Sequence, residues 1–416
     1  MAEQLGVWLD DARVGTLTAT RRSATFQYDD TTVNAAAGLP LLSTALPVQA
    51  KPFAAEETLS WFAGLLPENQ QREEIQRRFN LQGASWFEML REIGWECAGA
   101  VVVANDDQKP HPGSLKPLTG ADLAVRLAAL PRHPYDDDSA LRISLGGYQS
   151  KMLVTRTETG WALPLGGAIS THILKPQPSD RYLGIIEAEA WAMTVARNVT
   201  ATADVDVLRL DGAPPTLVVT RFDRQGVGVS TIRTHQEDGA QSLGVPPEKK
   251  YASSGSANRT DPTLLGLARV LERYSENPRQ ELLSLLRQVV VNVSVGNTDA
   301  HAKNYGVLHP SPQTVSLSPM YDVVPAQVIT PATLEMGLRI AGRIRIDRIT
   351  GAKILEEAET WGIRSRSGVG VVARALEDVE TGIELANERF PDADPVVARF
   401  VKARVTHLKS TLLDRS

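Results

Sequence analysis

An α+β chain folded in two lobes is what this sequence predicts. Short apolar runs broken by turn residues dominate up to about residue 220, and helical apolar stripes dominate from Gly239 onward. The chain's 416 residues exceed one ordinary core, so two or three subdomains are expected. The boundaries read from these shifts give units at 1–105, 106–223 and 224–416.

The elements follow in order. Leu5 to Leu9, Val14 to Thr18 and Ala24 to Tyr28 alternate as strands, with Asp10-Asp11 as a turn. Helical spacing then sets in at Leu59, Phe62, Leu65 and Leu66, breaks at Pro67, and resumes from Glu73 to Phe79. Asp106 to Pro117, rich in Pro, Lys and Asp, reads as a surface loop. Asp136-Asp137-Asp138 reads as a solvated charge run before a strand at Leu141 to Ser144. Further strands are expected at Met152 to Thr155 and Thr171 to Lys175, with a helix at Ile185 to Arg197 between them and a strand ending at Thr220. In the helical half Leu282, Leu285, Leu286, Val289 and Val293 share one stripe, and three C-terminal helices are expected at Ala352 to Trp361, Val371 to Phe390 and Val396 to Leu413.

Composition narrows the function classes. Hydrophobic content of 42% and charged content of 22% are those of a soluble globular chain. A net charge of -5 gives no electrostatic reason to bind nucleic acid unaided. Cys97, the single cysteine, excludes an internal disulfide and suits a reducing compartment; its apolar setting, Glu96 to Val103, predicts inert burial. No apolar run reaches the roughly 18 residues a membrane helix needs, and Met1-Ala2-Glu3-Gln4 does not open a signal peptide. A cytoplasmic protein without a membrane partner is the expectation.

The most informative stretch is Gly296-Asn297-Thr298-Asp299-Ala300-His301-Ala302-Lys303-Asn304. It follows an amphipathic helix that Gly296 is suited to cap. Tyr305 to Leu308 and Thr314 to Leu317 then read as two short strands, joined by His309-Pro310-Ser311-Pro312, which return the chain to Tyr321-Asp322. An aspartate, an asparagine five positions on and a second aspartate beyond two strands form the layout of a protein kinase, in which the first Asp takes the acceptor proton and the other two hold magnesium. Asp and Asn are common turn formers, so the joint spacing carries the signal. Phosphoryl transfer also needs a phosphate cover and a cation. The segment Ser144-Leu145-Gly146-Gly147-Tyr148-Gln149-Ser150-Lys151 can bring backbone N–H groups close to phosphates, although Gly-Gly also simply closes hairpins. Lys175 ends a strand and can reach the α and β phosphates, restrained by Glu189 on the next helix, with Glu187 as the competing carboxylate. A strand lysine facing solvent is the plain alternative. Val218 to Asp223 suits a hinge for adenine.

With these segments in place the chain resembles the HipA family of serine/threonine kinase toxins. The resemblance rests on Arg142-Ile143-Ser144, Gln149-Ser150-Lys151, Thr171-His172-Ile173-Leu174-Lys175, Arg221-Phe222-Asp223-Arg224, the Gly296 to Asn304 loop and Pro319-Met320-Tyr321-Asp322. Leu66-Pro67-Glu68-Asn69 and Ile93-Gly94 with Cys97-Ala98-Gly99-Ala100 extend it to the family's N-terminal subdomain. It implies a bilobed, protein-kinase-like α+β fold with a β-rich N-terminal subdomain at 1–105, a kinase N-lobe at 106–223 and an all-helical C-terminal lobe. It implies Asp299 as catalytic base with Lys175 on the phosphates, and Asn304 and Asp322 as magnesium ligands. ATP contacts are implied for Gly146, Gly147, Tyr148, Gln149, Ser150, Lys151, Lys175, Thr220, Arg221, Phe222, His301, Lys303, Asn304, Tyr321 and Asp322. Glu189 is implied in a structural ion pair.

Ser144 matches the serine that family members autophosphorylate, where roughly two added negative charges would oppose a loop that holds phosphates. Implied cofactors are ATP and Mg2+. Implied partners are a HipB-like helix-turn-helix antitoxin, operator DNA through that complex, and an aminoacyl-tRNA synthetase such as the glutamyl enzyme, whose modification stops translation and arrests growth. Gln236-Glu237-Asp238 with Gln241 is similar to the family's segment near the peptide substrate, and a capped helix start explains it equally well. This sequence departs from the family pattern at Ser150, where a Glu is usual, at Gly147-Tyr148, which replaces a pair of smaller type, and at Pro176 directly after Lys175. Two other classes fit parts of the pattern: an antitoxin-binding corepressor with little kinase activity, and a small-molecule kinase of the aminoglycoside type. Retention of Asp299, Asn304, Asp322 and Lys175 argues against the first, and the long N-terminal region against the second.

Overall fold

A computed structural model describes residues 3–20, 23–105, 108–130, 151–178, 182–330 and 334–414. It divides into two compact units, one formed by Met1–Ser179, Leu208–Pro247 and Leu308–Thr314, the other by Asp180–Val207, Glu248–Val307 and Val315–Ser416.

The first unit opens with strands Gln4–Leu9, Ala12–Ala19 and Ala24–Tyr28 and a fourth, Val101–Asn105, all antiparallel, the first strand lying between the second and the fourth. Alternation does what the pattern promises: Leu5, Val7, Leu17 and Phe26 turn inward, and Asp10 takes a left-handed φ of 50° at the turn. Helix Ala55–Phe62 places Trp61 and Phe62 in the same core as Leu65 and Leu66 of the short turn that follows. Helix Trp86–Ile93 is started by Ser85, whose hydroxyl accepts from the Glu88 N–H while the Glu88 carboxylate accepts from the Ser85 N–H. Cys97 is buried, as its apolar setting predicts.

In the same unit strands Ser114–Leu118, Gly160–Leu165, Met152–Thr157, His172–Pro176 and Thr216–Thr220 lie side by side in that order, each pair antiparallel. The expected surface loop therefore ends differently. Residues from Ser114 pair with Gly160–Leu165 despite Pro117, which a strand at this position tolerates because proline lacks only a donor. Helix Gly120–Ala129, capped by Thr119 and Asp122, covers the sheet through Leu123 and Leu127 against Met152, Val154, Leu163 and Leu174. The expected strand Leu141 to Ser144 and the Asp136-Asp137-Asp138 run lie outside the described residues.

The second unit is mainly helical: Ile185–Val199, Leu264–Tyr274, Pro278–Val295, Gly351–Thr360, Ser365–Arg389 and Pro395–Ser410 are its longer helices. Pro278 supplies a preset φ at the first turn of its helix, and Gly296 closes that helix in the left-handed region at φ 75°. Ile185–Val199 is buried nearly all round, which explains why a helix whose sequence lies among strands joins the helical unit. Its Trp191 indole donates to the Asn387 side chain at 2.9 Å. The lobe read as all-helical also contains a strand pair, Glu335–Ile340 with Arg343–Arg345, which the helical stripes around it concealed. The strand expected to stop at Leu308 runs from Gly306 to Ser311, leaving a tighter connection at Pro312-Gln313. Among the described residues no helix is long and apolar enough to cross a membrane.

Candidate active site

The site begins where helix Pro278–Val295 stops. Asn297 is buried, and its side-chain N–H group donates to Asn292 Oδ1 at 2.9 Å and to the Asp322 carbonyl at 3.3 Å. Asn292 donates in turn to the Tyr305 hydroxyl at 3.2 Å, and burial pushes that phenol up to about 12. The Gly296 carbonyl accepts from the Gln327 N–H at 3.0 Å, and a Cβ at this glycine would meet the Phe400 ring at 2.6 Å. A capped helix end and one amide thus bind two loops distant in sequence.

Asp299 projects from this support as an exposed carboxylate between buried neighbours. Its carbonyl accepts from Asn304 Nδ2 at 2.9 Å and from the His301 N–H at 2.7 Å. The first bond orients the Asn304 amide so that nitrogen is engaged inward and Oδ1 is the atom a cation would meet. Oδ1 of Asp299 accepts from the Tyr251 hydroxyl at 2.5 Å. The Tyr321 hydroxyl donates to the Lys303 carbonyl at 2.8 Å, and Asp322 holds a left-handed φ of 52°. A non-glycine residue kept in that region stores strain that its surroundings must impose, a feature concentrated at functional sites. Asn304 is thus bonded to the Asp299 main chain, and Asn297, two residues before Asp299, holds the Asp322 carbonyl, with His301, Lys303 and Tyr321 on the same loops.

Two hard oxygen donors, the Asn304 amide and the Asp322 carboxylate, suit a magnesium ion that keeps water and phosphate oxygens as its other ligands. Among the described residues no three His, Cys, Asp or Glu side chains gather as a metal site.

Lys175 lies in strand His172–Pro176, opposite Leu217, and is 8% exposed. This excludes the plain reading of a solvent-facing lysine. Lys151 is half-buried at the start of strand Met152–Thr157, and Thr220 faces His172 across the neighbouring strand. Glu189 and Glu187 are both buried on helix Ile185–Val199. Gly146, Gly147, Tyr148, Gln149, Ser150 and Ser144, with Arg142 and Ile143, lie outside the described residues.

The Arg221 side chain is taken up by a buried ion-pair network. Its guanidinium donates to Glu96 at 2.9 Å, to both oxygens of Asp223 at 3.0 and 2.7 Å, to Ser170 and to the Cys97 carbonyl. Arg224 binds Glu96 and Asp223 as well, and Arg233 completes the set on Glu96 at 3.0 Å. Burial alone would raise the Glu96 carboxyl, but the guanidiniums of Arg224, Arg221 and Arg233 prevail and hold it at about 2. Asp223 feels the same contest, and Arg221 and Arg224 keep it well below the usual carboxylate range. Beside this network Glu237 accepts from Ser43, Thr44, the Trp61 indole and His309, and Asp238 caps the short helix Gly239–Ser242. The capped start offered as the alternative reading of Gln236 to Gln241 is thus present.

Sequence reasoning missed Tyr251 and the Glu96 network. A glutamate inside the apolar stretch Glu96 to Val103 was the available signal for the network; Tyr251 offered none, because its partner is 48 residues away.

A model of the HipA-like C-terminal domain matches residues 143–383, and a model of the HipA N-terminal domain matches residues 5–104. The protein Y4mE of Sinorhizobium fredii is 35% identical over 425 aligned residues, covering 99% of this chain and 97% of its own length. The serine/threonine-protein kinase toxin HipA of Shewanella oneidensis is 24% identical, covering 99% of this chain and 94% of its own length. Among solved structures, that of the Shewanella oneidensis HipA, HipB and operator DNA complex superposes with a TM-score of 0.81 at 22% identity, over 98% of this chain and 96% of the matched one. That likeness is one of fold.

Proposed function

The chain belongs to the HipA family of kinases, and from that premise we propose that it transfers the γ-phosphate of Mg-ATP to a serine hydroxyl of a protein. The observation that carries the reading is the set of bonds uniting Asp299 with Asn304 and the Asp322 loop. In this reading Asp299 orients the acceptor hydroxyl and takes its proton as the oxygen bonds to the γ-phosphorus and ADP departs. Asn304 and Asp322 would hold a magnesium ion, which when bound supplies neutralisation of the phosphate charge. Lys175 steadies the α and β phosphates; its burial supports the role, since a lysine is kept inside only for a partner. Thr220 and Phe222 contact adenine while Arg221 secures the hinge from behind. Residues 146 to 151 cover the phosphates, and phosphorylation of Ser144 turns the kinase off.

By relationship, the acceptor is an aminoacyl-tRNA synthetase such as the glutamyl enzyme. The outcome is arrested translation and growth in the cytoplasm, and a HipB-like antitoxin restrains the toxin and joins it to operator DNA. Incubation with γ-labelled ATP and a cell lysate, followed by mass spectrometry, should reveal a phosphoserine protein with the wild-type chain and none with Asp299→Asn. Equal labelling by that variant would remove Asp299 from the mechanism.

A further inference from the structure

Tyr251 is a half-exposed aromatic residue whose hydroxyl makes a specific contact. It is 45% exposed, yet its hydroxyl reaches Oδ1 of Asp299 at 2.5 Å, the length of a charge-assisted O–H···O bond. Its backbone is fixed on both sides. The Lys250 carbonyl accepts from the Ala302 N–H at 3.0 Å, and the Ala252 N–H donates to the Gly337 carbonyl at 2.8 Å. The ring stands edge-on to His301, centroids 4.8 Å apart at 88°. Gly337 in turn lies so near the Asp299 loop that a Cβ would come within 2.5 Å of the His301 nitrogen. The segment around Tyr251 is therefore built against the loop that carries Asp299.

We infer that Tyr251 is the positioning residue of the base: its phenol stops rotation of the Asp299 carboxylate and presents it to the acceptor hydroxyl. An exposed carboxylate on a loop has a broad terminal torsion, and one donor on one oxygen is enough to narrow it. Asn304 holds the main chain of Asp299 and Tyr251 holds the side chain, so the two bonds act on different rotations. The base is then oriented by a third group, the arrangement general to activated proton acceptors. This inference rests on Asp299 being the base.

The test uses the full-length chain with γ-labelled ATP and myelin basic protein as the acceptor probe, comparing wild type, Asp299→Asn, Tyr251→Phe and Tyr251→His. Misaligning a reacting group lowers turnover more than binding, so Tyr251→Phe should lower kcat roughly tenfold or more. KM for ATP and the melting temperature should stay at wild-type values. Tyr251→His, which keeps a ring N–H donor, should recover part of the loss. Unchanged kcat in Tyr251→Phe alongside an inactive Asp299→Asn overturns the positioning role and leaves the base standing. Parallel losses of kcat, ATP affinity and melting temperature in Tyr251→Phe also overturn it, showing a merely structural residue. An active Asp299→Asn, or a wild-type chain inert toward both ATP and the probe, removes the base and this inference with it.

Discussion

Two groups of charges in this molecule are held in opposite ways. Glu96, Asp223, Arg221 and Arg224 are sealed from water, and each charge is answered by several partners. Asp299 is exposed, and its loop is held by main-chain bonds while the Tyr251 phenol donates to its carboxylate. A buried, fully partnered charge resists change because every alternative strands a counter-charge in a medium of low dielectric. A charge supported from behind and open in front can receive a proton. Burial therefore separates the Glu96 and Asp223 carboxylates from the one at Asp299, although all are Asp or Glu.

Exchanging one residue in each group tests this directly. Asp299→Asn should lower phosphoryl transfer by about 10³-fold, the scale of general base catalysis, with no change in the urea unfolding midpoint. Glu96→Gln should do the reverse. It leaves Arg221, Arg224 and Arg233 short of a counter-charge, and tryptophan fluorescence in urea should report a loss of about 3 kcal/mol. Unfolding midpoints that respond in the opposite order would break the comparison.

Gly337→Ala probes the support behind the exposed group. Its methyl would enter backbone at Ala300 and His301, so the Asp299 loop must shift, at a stability cost of about 1–3 kcal/mol with reduced kcat. Wild-type turnover in this variant would show that the loop tolerates displacement.

The smallest effect is in pH. Ala100 N–H donates to His235 Nδ1, so Nε2 carries the ring proton and gives it to the Leu42 carbonyl. A second proton would face the Ala100 N–H. Burial, with His309 nearby, holds His235 down at about 3, whereas the unfolded residue titrates near 6.5. Above pH 6.5 both states are neutral. As pH falls below that value the unfolded chain gains a proton that the folded chain refuses, so stability declines by up to about 1.4 kcal/mol per pH unit. Glu96 adds its own loss only below 4.5, lasting until its folded value of about 2. Urea midpoints measured from pH 7 to 5 should therefore fall in the wild type and fall less steeply in His235→Gln, the remaining slope coming from His172, which burial holds down at about 4. An identical decline in both would assign it elsewhere.

Much was legible before any coordinates. Strands Ala24–Tyr28 and Thr314–Leu317 and the three C-terminal helices follow from alternation or a 3.6-residue stripe, patterns set by neighbours along the chain. The spacing of Asp299, Asn304 and Asp322 was legible too, because a loop and a return hairpin are local devices. Strand Ser114–Leu118 was not, since Pro and Lys hide a strand that exists only through its partner Gly160–Leu165. Nor was strand Glu335–Ile340, which lies among helical stripes.

By itself, then, the order of residues determined which segments become helix or strand, the capped helix end at Gly296, and the family to which the loops belong. Tertiary structure alone decided that the Arg221 guanidinium meets Glu96 across 125 positions, and that Tyr251 rests on Asp299 across 48. The physical reason is range. Backbone preference and periodicity act over a few residues, whereas a hydrogen bond between distant side chains depends on where the whole unit brings them.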